Sequence, residues 1–160
     1  MRSDMPNRIY RGSHPPRKID HVLAHPYEVL MAAAGLIACA ALLAAELGAP
    51  ITISPTMRDL PSTVAWLVGA SGVVGNTLVI AGVFDDGEDL MRGWMIERVG
   101  LVAAITSWGA YSLAVAVIHP GAAISYAVTL FVAGAHAVRF VATLREESTT
   151  RTAIRTHGDL

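Results

Sequence analysis

The sequence predicts an all-α protein, a four-helix transmembrane bundle with both termini in the cytoplasm and short polar tails. Three observations predict it. Of 160 residues, 53% are hydrophobic and only 16% charged, whereas a water-soluble domain carries about a quarter charged residues. The charges crowd into residues 1–28, 85–98 and 139–160, leaving the stretches between nearly bare. Those bare stretches are long enough to cross a bilayer, whose ~30 Å of hydrocarbon takes about 20 helical residues.

Residues 1–25 hold Arg2, Arg8, Arg11, Arg17 and Lys18 among Pro6, Pro15 and Pro16. They are expected to form a flexible basic tail, in which each cation adds about 1 kcal/mol of attraction to an anionic leaflet. Span one is placed at 26–48, around the uncharged run Val29 to Ala45. A signal peptide competes for this segment, but the basic lead and the apolar run are both long for one, and Pro50 follows the nearest small-residue cleavage site. Leu36-Ile37-Ala38-Cys39 has the form of a lipidation signal, yet the chain stays apolar beyond Cys39. A small packing residue is the plainer reading of that cysteine.

Span two is placed at 62–84, with Ser62 or Thr63 available to cap its first turn after Pro61. From Val99 to Val138 the chain is uncharged for 40 residues. As one helix this would run about 60 Å, twice the bilayer, so it must fold back. The turn signal is His119-Pro120-Gly121, which divides it into span three at 94–118 and span four at 122–143. Residues 26–143 thus form the membrane domain. Residues 144–160 have too little apolar content for a core and are expected to form a second polar cytoplasmic tail.

Orientation follows from the flanking cations. Eleven of the 12 Lys and Arg residues lie in the two tails or between spans two and three, and only Arg58 lies in the other loops. That bias places both termini inside a bacterial inner membrane, as an even number of spans requires. Tyr27, Trp94, Trp66 and Tyr126 fall near span ends, where amphipathic rings collect. Trp108 and Tyr111 fall mid-span and read as packing groups between helices.

The formal net charge of −1 gives no basis for nucleic-acid binding. There is no phosphate-binding, dinucleotide or metal-site motif. The acidic loop Asp85-Asp86-Gly87-Glu88-Asp89 lacks the alternating ligands of a calcium loop and reads as a solvated hairpin. Gly69-Ala70-Ser71-Gly72 has the GxSG form of intramembrane serine proteases, with His136 on a parallel helix as the candidate base. A serine nucleophile needs its base within about 3 Å, and the helical offsets place the two roughly 7–8 Å apart in depth. No catalytic, cofactor or metal residue is therefore assigned, and the chain is not expected to be an enzyme.

What remains is packing and polarity. Ala34/Ala38, Ala41/Ala45, Ser71/Gly75, Ala103/Ser107, Ala110/Ala114 and Ala133/Ala137 stand four residues apart, the spacing at which membrane helices approach closely. Such faces serve either internal bundle packing or self-association into a homo-oligomer. Polar residues at depth are costly and informative. Asn76 is expected to hydrogen-bond a neighbouring helix, to link protomers or to line a polar path, and Ser107 and Ser112 lie mid-span. Glu28, Glu97, Arg98 and Arg139 fall at one level and are expected to pair as a ring of charges at the cytoplasmic edge.

Pro26 with Glu28, Glu97-Arg98-x-Gly100-Leu101, Tyr111 and Arg139 together make the chain resemble small four-span membrane proteins of actinobacterial phages, a group treated as holin candidates. The likeness covers about residues 25–143 and rests on short motifs. It implies a protein that accumulates in the host inner membrane, self-associates and permeabilises it during lysis. The competing readings are a non-lytic scaffold that offers its basic tail to a cytoplasmic partner or to anionic lipid, and a small channel or transporter subunit. The last lacks an inverted repeat or broken helix to support it.

Overall fold

The computed structural model describes residues 26–85 and 90–157. The expected basic tail, most of the acidic hairpin and the last three residues lie outside the described residues. The elements are α1 (Pro26–Glu46), α2 (Pro55–Arg58), α3 (Ser62–Val83), α4 (Leu90–Ile118) and α5 (Ala123–His157), with no strand among the described residues. Four of them, α1, α3, α4 and α5, are long and apolar enough to cross a membrane.

Helix α1 stops because Gly48 takes a positive φ of 85°, a conformation open to glycine at little cost. Its amide donates to Ala45 O and that of Ala49 to Ala44 O, which satisfies the last carbonyls in a Schellman closure. The short α2 was not foreseen. Ser54 caps it through a bond from the Met57 amide (3.3 Å) and Pro55 sits in its first turn, the N-terminal pattern expected of such residues. The Tyr111 hydroxyl lies 2.9 Å from Thr56 Oγ1, and Ile53 and Met57 pack on a core of Leu42, Leu60, Ala65, Val68, Tyr111 and Val115. The expected cap of α3 is corrected. Pro61 holds the N-cap position without a side-chain bond, and Ser62 Oγ donates across to Glu46 Oε2 at 2.8 Å.

Helices α3 and α4 make the most extensive contact, with α1 on α3 and α5 on α4. The α3–α4 seam follows a seven-residue register. Ser107 Oγ donates to Val68 O at 2.7 Å. One heptad along, a Cβ on Gly75 would lie 2.9 Å from Gly100 O and 2.6 Å from Ala104 N. One heptad further, a Cβ on Gly93 would lie 3.3 Å from Gly82 O. Carbon atoms prefer about 3.5–4.0 Å, so glycine at these positions is what lets the two backbones meet, as small residues do in membrane helix pairs. The four-residue spacing read from the sequence found Gly75 and Ser107. It missed Gly82, Gly93 and Gly100, whose signal was the repeat of seven in each helix.

The largest departure from expectation is α5. Where residues 144–160 were expected as a polar tail, one helix of 35 residues runs to His157, about 52 Å. The physical reason is local. Arg151 Nε donates to Glu147 Oε1 at 2.7 Å, Thr149 and Thr152 hydroxyls bond back to the carbonyls one turn earlier, and no glycine or proline falls between Gly134 and Gly158. A helix extended from a packed span needs no core of its own.

Candidate functional site

Several polar groups buried in the apolar part of the bundle are hydrogen-bonded within it, whereas Asn76 Oδ1 and Trp108 Nε1 have no partner among the described residues. Asn76 is fully buried, but its amide donates to Gly72 O of its own helix at 2.7 Å. The expected bond to a neighbouring helix is therefore replaced by one within α3. Its side chain lies instead where a Cβ on Gly35 of α1 would fall, at 2.8 Å. Ser107 links α4 to α3 as described, and its hydroxyl also sits 3.8 Å from Cys39 Sγ. Ser112 Oγ donates to Tyr126 O on α5 at 2.8 Å. Ser71 Oγ donates to Leu67 O of its own helix at 2.6 Å. The bonds of Ser107 and Ser112 fasten neighbouring helices, and those of Asn76 and Ser71 stay within α3. The rings of Trp108 and Tyr111 meet edge to face at 6.4 Å.

At one end of the bundle lies a cluster of charges built from three helices. Arg139 on α5 forks onto Glu97 on α4, with Nε to Oε1 at 2.7 Å and Nη2 to Oε2 at 3.4 Å. Bidentate pairing of this kind is the strong form of such an ion pair. The Glu97 side chain is only 3% exposed. Its backbone reaches that depth because Gly82 gives way; a Cβ there would lie 2.6 Å from Glu97 N. Nη1 of Arg139 further lies 3.8 Å from Glu28 of α1 and 3.4 Å from Glu146.

The structure thus brings Glu28, Glu97 and Arg139 together and leaves Arg98 out of that group. Arg98 instead pairs with Glu147 and donates to Thr143 O at 3.3 Å. Glu146 and Glu147 were missed because the residues after 143 were read as a tail, and only the helical extension returns them to the bundle.

Beside the cluster, α1 and α5 leave a lateral groove with a cavity of about 330 Å³. It opens because α1 rests on α3 and α5 on α4, while α5 turns the small Ala135 and Ala142 toward the gap. Met31, Val79 and Leu101 line its apolar part, and Tyr27, Glu28, His136 and Arg139 its polar part. His136 is 5% exposed, and its Nε2 is buried without a hydrogen-bond partner among the described residues. A buried polar atom left this way costs on the order of 1–3 kcal/mol. Asn76 Oδ1, Arg98 Nε and Trp108 Nε1 are also buried without a hydrogen-bond partner among the described residues, and His136 is the one of these residues that lines the groove.

Candidate catalytic partners do not meet. Ser71 is bonded within α3 and His136 lines the groove between α1 and α5. Among the described residues no three His, Cys, Asp or Glu side chains are grouped to hold a metal ion. Cys39 is buried against Gly72 and Ser107, as a packing residue would be. Comparison with known protein families, curated proteins and solved structures gives no match.

Proposed function

We propose that this chain is an integral membrane protein of a bacterial inner membrane, with both termini in the cytoplasm, that self-associates in the bilayer and permeabilises it in holin-like fashion. The observation that carries self-association is Gly134. It sits on the exposed face of α5 beside Phe131 and Val138, and a Cβ there would meet nothing within 4 Å. A glycine in mid-helix costs about 1 kcal/mol relative to alanine. The seam glycines recover that cost by admitting a neighbouring backbone, whereas Gly134 has no neighbour inside the monomer. A second copy approaching along α5 gives it one. The permeabilising step is supported by the resemblance in residues 25–143. A lesion would form between copies, because the hydroxyls of Ser71, Ser107 and Ser112 are hydrogen-bonded within one chain.

The test uses Gly134→Cys in a Cys39→Ala background. Oxidation in membranes should give a disulfide-linked dimer, and Gly134→Ile should weaken association of the otherwise unchanged protein. Induced expression should then collapse the membrane potential, and less so for Gly134→Ile. Absence of cross-linking would refute assembly through α5, and undisturbed growth at high expression would refute permeabilisation.

A second reading, a non-lytic scaffold, is favoured by the length of α5. About 30 Å of hydrocarbon leaves roughly 20 Å of this helix projecting, a rod for a cytoplasmic partner. Under that reading, deleting residues 1–24 abolishes partner capture while insertion persists.

A further inference from the structure

We propose that the groove between α1 and α5 binds an amphipathic primary amine, its apolar chain lying along Met31, Val79 and Leu101 and its ammonium held between Glu28 and His136. The inference does not depend on self-association. It rests on three features of the same site.

The first is space. A cavity of about 330 Å³ falls at the small end of the roughly 300–1,000 Å³ seen for small-molecule sites, which suits one chain better than a whole two-chain lipid. The second is the sign of the charge. Arg139 is the one guanidinium within reach of three carboxylates, and it is forked onto Glu97. That pairing neutralises Arg139 and leaves Glu28, the carboxylate that lines the cavity, with a single ion pair among the described residues, at 3.8 Å. An anionic headgroup would have to displace a carboxylate from Arg139, whereas a cation joins a cluster in which, among the described residues, three carboxylates surround one guanidinium. The third is His136. The residue lines the cavity, its Nε2 is buried and unpartnered among the described residues, and in the tautomer protonated at Nδ1 that atom accepts a hydrogen bond once the ring turns toward the groove. A primary ammonium offers three N–H donors, enough for Glu28, His136 and water. A quaternary ammonium offers none. Tyr27 also lines the cavity, and its ring can add a cation–π contact.

The ammonium has two sources, a free long-chain amine and the headgroup of an ethanolamine lipid. Purified full-length protein in phosphatidylcholine nanodiscs, which contain no primary amine, is titrated with radiolabelled decylamine and compared with empty discs. Saturable binding in excess of the empty discs is expected, displaced by unlabelled decylamine but not by decyl sulfate or decyltrimethylammonium. Glu28→Gln should weaken it about tenfold, the loss of one charge-assisted contact. Ala142→Leu, which fills the groove and alters no charge, should abolish it with helicity unchanged by circular dichroism.

Replacing part of the phosphatidylcholine by phosphatidylethanolamine separates the sources. Competition assigns the site to the lipid headgroup, and undiminished binding assigns it to the free amine. Partitioning equal to that of empty discs, displacement by decyl sulfate, or full affinity in both variants would overturn the proposal. So would unaltered affinity in Ala142→Leu accompanied by loss of self-association, which would identify the groove as a contact between copies.

Discussion

The α3–α4 seam makes a sharp prediction, because two glycines of the same chain should respond oppositely to the same substitution. In Gly75→Ala the new Cβ would stand 2.6 Å from Ala104 N, 2.9 Å from Gly100 O and 3.0 Å from Ala103 C. All three are backbone atoms, so no side chain can rotate away. Relief requires the helices to part by about 1 Å, which forfeits a quarter to a half of each dispersion well along the seam. With three backbone atoms in the way, the upper part of the roughly 1–3 kcal/mol overpacking range applies, about 2–3 kcal/mol, and alanine's better helix propensity returns about 1 kcal/mol. The net loss is therefore about 1–2 kcal/mol, a shift of roughly five- to thirtyfold in the folded fraction. Gly134→Ala meets nothing within 4 Å and in the monomer should leave stability unchanged or raise it by up to about 1 kcal/mol. Both are read from SDS titration in mixed micelles, followed by far-ultraviolet circular dichroism. Wild-type stability in Gly75→Ala, or an equal loss in both variants, would refute the seven-residue register.

Three further outcomes follow from the same contacts. Arg139→Leu strands the Glu97 carboxylate, 3% exposed, and should cost about 3 kcal/mol or more; adding Glu97→Gln should restore much of it, and a double-mutant cycle in the same titration checks this. Ser107→Ala should lose about 1 kcal/mol by leaving Val68 O without its cross-helix donor, while Ser71→Ala, whose hydroxyl bonds within its own helix, should stay within about 0.5 kcal/mol of wild type. Tyr111→Phe should release α2 from α4 by removing the bond to Thr56, seen as faster hydrogen exchange at residues 54–59 with the four long helices unaffected.

The four long helices were legible because the bilayer imposes a single requirement, a bare apolar run of sufficient length, and Val99 to Val138 was too long for one crossing. The turn at His119-Pro120-Gly121 was legible for the same reason, and α4 and α5 end and begin beside it. Helix pairing was less so. Gly75, Gly82, Gly93 and Gly100 stand in the sequence in plain view, but which faces meet is decided by contacts between segments, and a four-residue motif draws the eye first.

Asn76 shows a related limit. Its burial was readable from its depth, whereas its hydrogen bond depended on Gly72 O being one turn away and Gly35 leaving room. The charge cluster was half legible. Glu28, Glu97 and Arg139 share a level that counting residues reveals, but Glu146 and Glu147 join only because α5 continues. That continuation depends on the absence of a stop signal, which a search for apolar runs does not register. The groove was not legible at all, since it is the space left where α1 and α5 fail to meet.

The central claim is a chain that crosses the bilayer four times. It is tested most directly by placing single cysteines in a Cys39→Ala background at positions 5, 56, 88, 120 and 155 and labelling intact cells with a membrane-impermeant maleimide. Labelling is expected at 56 and 120 from outside and at 5, 88 and 155 only after the membrane is opened. Labelling of 56 and 88 from the same side, or of 88 and 120 from the same side, would contradict it.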